Sequence, residues 1–137
     1  MVETLDAVLV AARAAAAKTD EDTVVIDVGN VLAIVGYFVI TGGRNGRQVK
    51  ALAEEVEEKV ALAGGPKPRR VEGLDGLEWV LLDYGDFVVH VFHHETRKYY
   101  ELERLWSDVP RIDWRTDEAP VVEPDVDDDV LDEAAGE

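Results

Sequence analysis

At 137 residues, 47% of them hydrophobic, the chain is long enough to bury one core and too short for two ordinary domains. It has no cysteine, which excludes disulfides, thiolate metal sites and cysteine nucleophiles and favours a cytoplasmic setting. The formal charge of −16 disfavours polyanion partners on average, yet it is unevenly spread: from Ser107 onward twelve acids face only Arg111 and Arg115, while residues 1–106 carry a net −6 and cluster bases at Arg44, Arg47 and Lys50 and at Lys67, Arg69 and Arg70.

Residues 3–18 place Leu5, Val8, Leu9, Ala12 and Ala16 on one helix face, with acids early and Lys18 late, as the helix dipole favours. A narrow Leu/Val stripe would hold this helix to the domain. Glu3, Asp6, Arg13 and Lys18 interrupt the alanine-rich stretch at helical intervals, which suits neither a signal peptide nor a membrane span, so no membrane association is expected. After a polar turn at 19–22, residues 24–28 read as a short strand ended by Gly29 and Asn30. Residues 37–41 form a second strand whose apolar density predicts an interior place in the sheet, and Gly42 and Gly43 close it.

Residues 47–63 are the clearest amphipathic helix: Val49, Leu52, Ala53, Val56 and Val60 share one face, with Glu54, Glu55, Glu57, Glu58 and Lys59 mostly on the other. Asn45 can cap it, but Arg44 and Arg47 put positive charge where the dipole prefers acids. Free helix N–H groups beside two arginines offer an anion site; the plainer alternative is a solvated loop that tolerates them. Gly64, Gly65 and Pro66 stop the helix, and residues 68–72 read as a third strand at a sheet edge, since prolines precede it and Arg69 and Arg70 lie within it.

The runs at 79–84 and 87–92 are separated by Gly85 and Asp86, which fits a hairpin with glycine first in a two-residue turn. That register sets Tyr84 opposite Phe87, Leu82 opposite Val89 and Val80 opposite Val91 on an apolar face suited to lie under helices. The other face pairs Asp83 with Val88, Leu81 with His90 and Trp79 with Phe92. Residues 95–106 then repeat Tyr99, Leu102, Leu105 and Trp106 at helical spacing, predicting a third helix and an α/β domain with five strands. The domain is expected to span 1–106 and to be followed by an acidic, disordered tail over 107–137, in which 107–114 can lie along the domain through Ile112 and Trp114 while 116–137 hold ten acids and no base.

Few chemical motifs are present. His90, His93 and His94 near Asp83, Asp86 and Glu95 are of metal-ligating type, but a histidine beside an aspartate on a half-buried strand is more often a structural pair, and no metal is expected. The chain's only serine is Ser107, no glycine pattern builds a phosphate cradle, and Asp83 and Asp86 straddle a turn instead of converging in a cleft. Neither a catalytic centre nor a cofactor is expected. Binding is better supported: Trp79, Leu81, Val88 and Phe92 make an apolar patch with Asp83 and His90 as polar keys, unless the helix at 3–18 covers it. Tyr99 and Tyr100 point about a quarter turn apart, so one can pack while the other faces outward.

Taken in order, Y-F-V-I-T-G at 37–42, R-Q-V at 47–49, V-E-G at 71–73, W-V-L-L-D-Y-G-D at 79–86, V-H-V-F at 89–92 and Y-Y-E-L-E-R-L-W at 99–106 resemble the ribosomal silencing factor (Iojap) family across most of residues 3–106. The resemblance implies a mixed five-stranded sheet with flanking helices, similar to a nucleotidyltransferase fold without its catalytic motif. It implies a non-enzymatic, cytoplasmic translation repressor that binds the large ribosomal subunit at its fourteenth protein and blocks joining of the small subunit when nutrients are short. Limited ribosomal RNA contact, no small-molecule substrate and an apolar face able to serve a homodimer go with it. On matching positions, Trp79, Leu81, Asp83, His90, Tyr99 and Tyr100 are the expected partner contacts. The chain departs from the family at Gly36, where an acid is common, and in the acidic segment after Trp106. The rival reading is a nucleotide-handling enzyme with an anion site at Arg44 and Arg47; a generic protein-binding adaptor is the third.

Overall fold

Alternation of apolar residues drives the strands into one mixed sheet, and the helices cover the face on which that alternation is purely apolar. The computed structural model describes residues 3–29, 31–32, 34–115 and 121–122. In chain order the elements are α1 (Thr4–Ala16), β1 (Val24–Asp27), β2 (Tyr37–Gly43), α2 (Gly46–Leu62), β3 (Arg70–Glu72), β4 (Trp79–Asp83), β5 (Phe87–His93), α3 (His94–Tyr100), α4 (Leu102–Leu105), β6 (Arg111–Ile112) and β7 (Val121–Val122). The sheet order is β3-β4-β5-β2-β1-β6-β7, with β2 and β5 parallel and the other pairs antiparallel. Among the described residues, no helix is long and apolar enough to cross a membrane.

The hairpin register is as the turn predicts. Trp79 pairs with Phe92, Leu81 with His90 and Asp83 with Val88, and the Tyr84 N–H donates to the Phe87 carbonyl at 2.9 Å. Gly85 sits at φ +91°, a value that a side chain would strain. Val80, Leu82, Tyr84, Phe87, Val89 and Val91 therefore point into the main core, where α1 and α2 lie. On α2, Val49, Leu52, Ala53, Val56 and Val60 are buried, the same five residues that the spacing groups. Helix α1 is buried over a wider arc than its Leu/Val stripe: Ala7, Ala11, Ala12, Ala14 and Ala15 are core residues whose small size lets it seat against both α2 and the sheet.

Three expectations need correction. The sheet has seven strands, not five, because β6 and β7 continue it beyond β1; two-residue strands are too short for a period-2 pattern to reveal. For the same reason the folded domain runs past residue 106. Ile112 is buried in the main core, the Trp114 indole N–H donates to the Thr23 carbonyl at 2.7 Å, and Arg13 Nε donates to the Trp114 carbonyl at 2.8 Å. Third, the helix expected over 95–106 breaks at Glu101, which adopts a left-handed conformation (φ 49°, ψ 52°) at a cost of roughly 1 kcal/mol. The break turns Leu102 and Trp106 onto the second sheet face. The acidic segment 116–137 lies outside the described residues, apart from the Val121–Val122 strand.

Trp114→Phe keeps a ring but removes the donor to Thr23, and it is expected to lower unfolding free energy by about 1 kcal/mol. Trp114→Ala, which also empties the site, should cost roughly 3 kcal/mol or more. Urea midpoints at unchanged slope check both values.

Candidate functional site

The second sheet face is only partly covered. Ile26, Val28, Ile40 and Phe92 are buried beneath Val109, and Leu32, Val35, Leu102 and Trp106 pack around them. Helix α1 lies on the opposite face, so it does not cover this one. Strand β4 borders the covered area, and Trp79, Leu81 and Asp83 along it are half-buried.

Trp79 is the link between core and surface. Its indole Nε1–H donates to His90 Nδ1 at 3.1 Å. Its ring centroid lies 4.7 Å from that of Phe92 and 5.0 Å from that of Tyr100, with tilts of 32° and 49°. Tyr100 meets Tyr99 edge-on at 5.0 Å. From inside outward, exposure rises from 5% at His90 to 52% at Tyr100 and 81% at Tyr99. Glu78, His93, Glu95 and Thr96 line a hollow beside the two tyrosines. The aromatic ledge therefore presents apolar area with phenol groups at its rim, the composition that favours protein recognition.

The six residues expected to touch a partner do not form one cluster. Trp79, His90, Tyr99 and Tyr100 come together, but His90 is too buried to touch a partner itself. Asp83 lies at the far end of β4, where its carboxylate accepts the Gly85 N–H at 2.8 Å and pairs with Arg70 at 3.5 Å. It fastens the turn and the edge strand, and it is not the partner of His90. Leu81 sits between them, opposite His90 on one side and Glu72 on the other. Sequence reasoning missed Phe38, whose ring stands at 78° to the His90 imidazole with centroids 4.6 Å apart. The signal lay in the β2–β5 pairing, which brings Ile40 beside His90 and so sets Phe38 one step along the same face.

The other possible chemistry is occupied by internal contacts. Asn45 Oδ1 accepts the Gln48 N–H at 2.9 Å, capping one N–H of the first turn of α2, and Gln48 Oε1 accepts the Arg44 N–H at 2.7 Å just before it. Arg44 pairs with Asp20 at 3.0 Å. Chains leaving the parallel strands β2 and β5 run to opposite faces, which is the crevice where open α/β sheets commonly bind ligands. Here Arg97, 8% exposed, lines that place: it donates to the Asp22 carbonyl at 2.7 Å and lies 3.4 Å from where a side chain on Gly42 would begin, and a hollow stays open between it and Glu21, His94 and Arg104. His93 caps α3 by accepting the Glu95 N–H at 3.3 Å. Among the described residues, no three His, Asp or Glu side chains are placed to hold a metal ion.

Residues 2–135 match the family model described as ribosomal silencing factor during starvation. A ribosomal silencing factor of Bacillus subtilis (strain 168) is 41% identical over 104 residues, covering 76% of this chain and 87% of that protein. A Mus musculus protein named for mitochondrial assembly of the ribosomal large subunit is 33% identical over 89 residues, covering 63% of this chain and 39% of its own length. The crystal structure of a Chromobacterium violaceum protein superposes with a TM-score of 0.71 at 34% identity, covering 77% of this chain and 87% of that one.

Burial holds the His90 imidazole down from 6.5 to about 4, and the rings packed on it, Phe38, Trp79 and Phe92, carry no charge. Below pH 6.5 the unfolded chain binds a proton that the folded chain refuses, so stability present above 6.5 is lost as pH falls towards 4, by up to about 3 kcal/mol. Urea midpoints compared at neutral and mildly acid pH should fall further for the native chain than for His90→Phe. An equal fall in both would assign the acid sensitivity elsewhere.

Proposed function

The chain belongs to the family of ribosomal silencing factors during starvation, and from that premise we propose that it represses translation by binding the large ribosomal subunit at its fourteenth protein, where it blocks joining of the small subunit. The observation that carries this reading is the ledge in which exposed Tyr99 and Tyr100 rest on half-buried Trp79, built from two of the motifs that mark the family. Its action is steric. A folded domain seated on the joining face excludes the second subunit by volume and needs no bond-making step.

Aromatic residues held by a sheet strand and the helix packed beside it are suited to this role, because they bring a large contact area and lose little conformational freedom on docking. Contact with ribosomal RNA stays limited, since phosphate would face a chain of net charge −16. The same acidity would favour approach to a basic ribosomal protein. A nucleotide site at Arg44 and Arg47 is less well supported. Asn45 caps one N–H of the helix start there, Arg44 is paired with Asp20, and the Arg97 guanidinium at the ends of β2 and β5 is bonded to the Asp22 carbonyl.

Purified protein should co-sediment with isolated large subunits and reduce their joining to small subunits; failure in both assays contradicts the reading. Tyr100→Ala removes an exposed ring and is the cleanest disruption, because Trp79→Ala would also lose packing against Phe92. It should weaken binding by about tenfold or more while leaving the thermal midpoint within a few degrees. Arg47→Ala should bind as the native chain does; nucleotide binding that is lost in that variant would favour the enzyme reading instead.

A further inference from the structure

His90 is nearly excluded from solvent, yet the polar partner it finds is the indole of the half-buried Trp79. Because Nδ1 accepts the Trp79 N–H, the neutral ring carries its own hydrogen on Nε2. Nε2 is buried without a hydrogen-bond partner among the described residues. Leaving a buried polar atom unpaired is costly, and a leucine or phenylalanine would suit a site walled by Phe38, Trp79 and Phe92 without that cost. What the imidazole supplies that those residues cannot is a single acceptor aimed at Trp79.

A half-buried indole on an edge-proximal strand has a staggered first side-chain torsion but a broad second one, and apolar contact alone restrains that rotation weakly. The hydrogen bond to His90 selects one orientation. In that orientation the indole is held between Phe92 on the inner side and Tyr100 on the outer side. Tyr100 rests against that ring at a tilt of 49°, and Tyr99 stands edge-on to Tyr100.

We infer that His90 is a positioning residue: it makes no contact with the partner, and its bond to Trp79 fixes the indole so that the Trp79–Tyr100 ledge is pre-shaped for docking. This deepens the proposed function and rests on that reading for the identity of the surface. Its energetic content is preorganisation, since an ordered ledge loses less freedom when the partner arrives. It also gives His90 a role different from the direct contact that its place in the strand pattern implies.

The test compares His90→Phe, which keeps a ring and loses the acceptor, with His90→Asn, whose side-chain oxygen stands near the place of Nδ1. Two readouts are needed: hydrogen exchange of the Trp79 indole N–H by NMR, and affinity for isolated large subunits by sedimentation. His90→Phe is expected to lose the slow exchange and about fivefold in affinity, and His90→Asn to recover part of both. A His90→Phe protein that binds as tightly as the native chain, or one whose indole N–H stays protected, overturns the inference. If His90→Phe does not fold, Trp79→Phe removes the bond from the other end, and combining it with His90→Asn should cost no more affinity than Trp79→Phe alone. Additive losses would show that the two residues act independently. Absence of large-subunit binding by the native protein defeats the proposed function, whereas native binding with unchanged variants defeats only the role given to His90.

Discussion

Strand β5 is paired on both sides, antiparallel to β4 and parallel to β2, and nearly everything else in the molecule follows from its register. All six residues from Phe87 to Phe92 are buried, so a slip by one position would exchange the two faces of the sheet. The glycine turn at Gly85 fixes the β4 side. The β2 side is fixed by a seven-residue parallel ladder, from Tyr37 opposite Phe87 to Gly43 opposite His93. With both set, Val89 and Val91 face α1 and α2, while His90 and Phe92 face the surface that carries Trp79. The core and the proposed docking surface are thus two sides of one alternation.

Much of this was legible in the sequence because it is local. The hairpin register, the buried face of α2, the edge position of β3 and the interior position of β2 each depend on spacing within one or two segments. What was not legible depends on where distant segments meet. Nothing in the spacing of Ile112 and Trp114 says that they complete the edge beside β1, and nothing near Glu101 marks a helix break, since no glycine stands there to accept the left-handed conformation. Tertiary packing of Leu102 and Trp106 onto the second face overrides the helical periodicity of residues 95–106. At the candidate site, the face shared by Trp79 and His90 could be read from alternation, but the depth of His90 could not. Burial depends on Phe38 from β2, which itself packs edge-on against Trp106.

The crevice beside the parallel strands and the aromatic ledge share one helix, α3. The crevice at the ends of the parallel strands holds the Arg97 guanidinium, bonded to the Asp22 carbonyl and packed on Gly42, so α3 is tied down at the place where a ligand would enter. The same helix carries Tyr99 and Tyr100 outward. The buried arginine beside the crevice therefore also anchors the element that presents the aromatic ledge.

Hydrogen–deuterium exchange of the protein, free and bound to large ribosomal subunits, reads the docking surface without altering any residue. Docking through the aromatic ledge should slow exchange along α3 and in the backbone around Glu78 and Trp79, and leave α1 and α2 unchanged. Protection confined to α1 and α2, or no protection in the presence of large subunits, would contradict it.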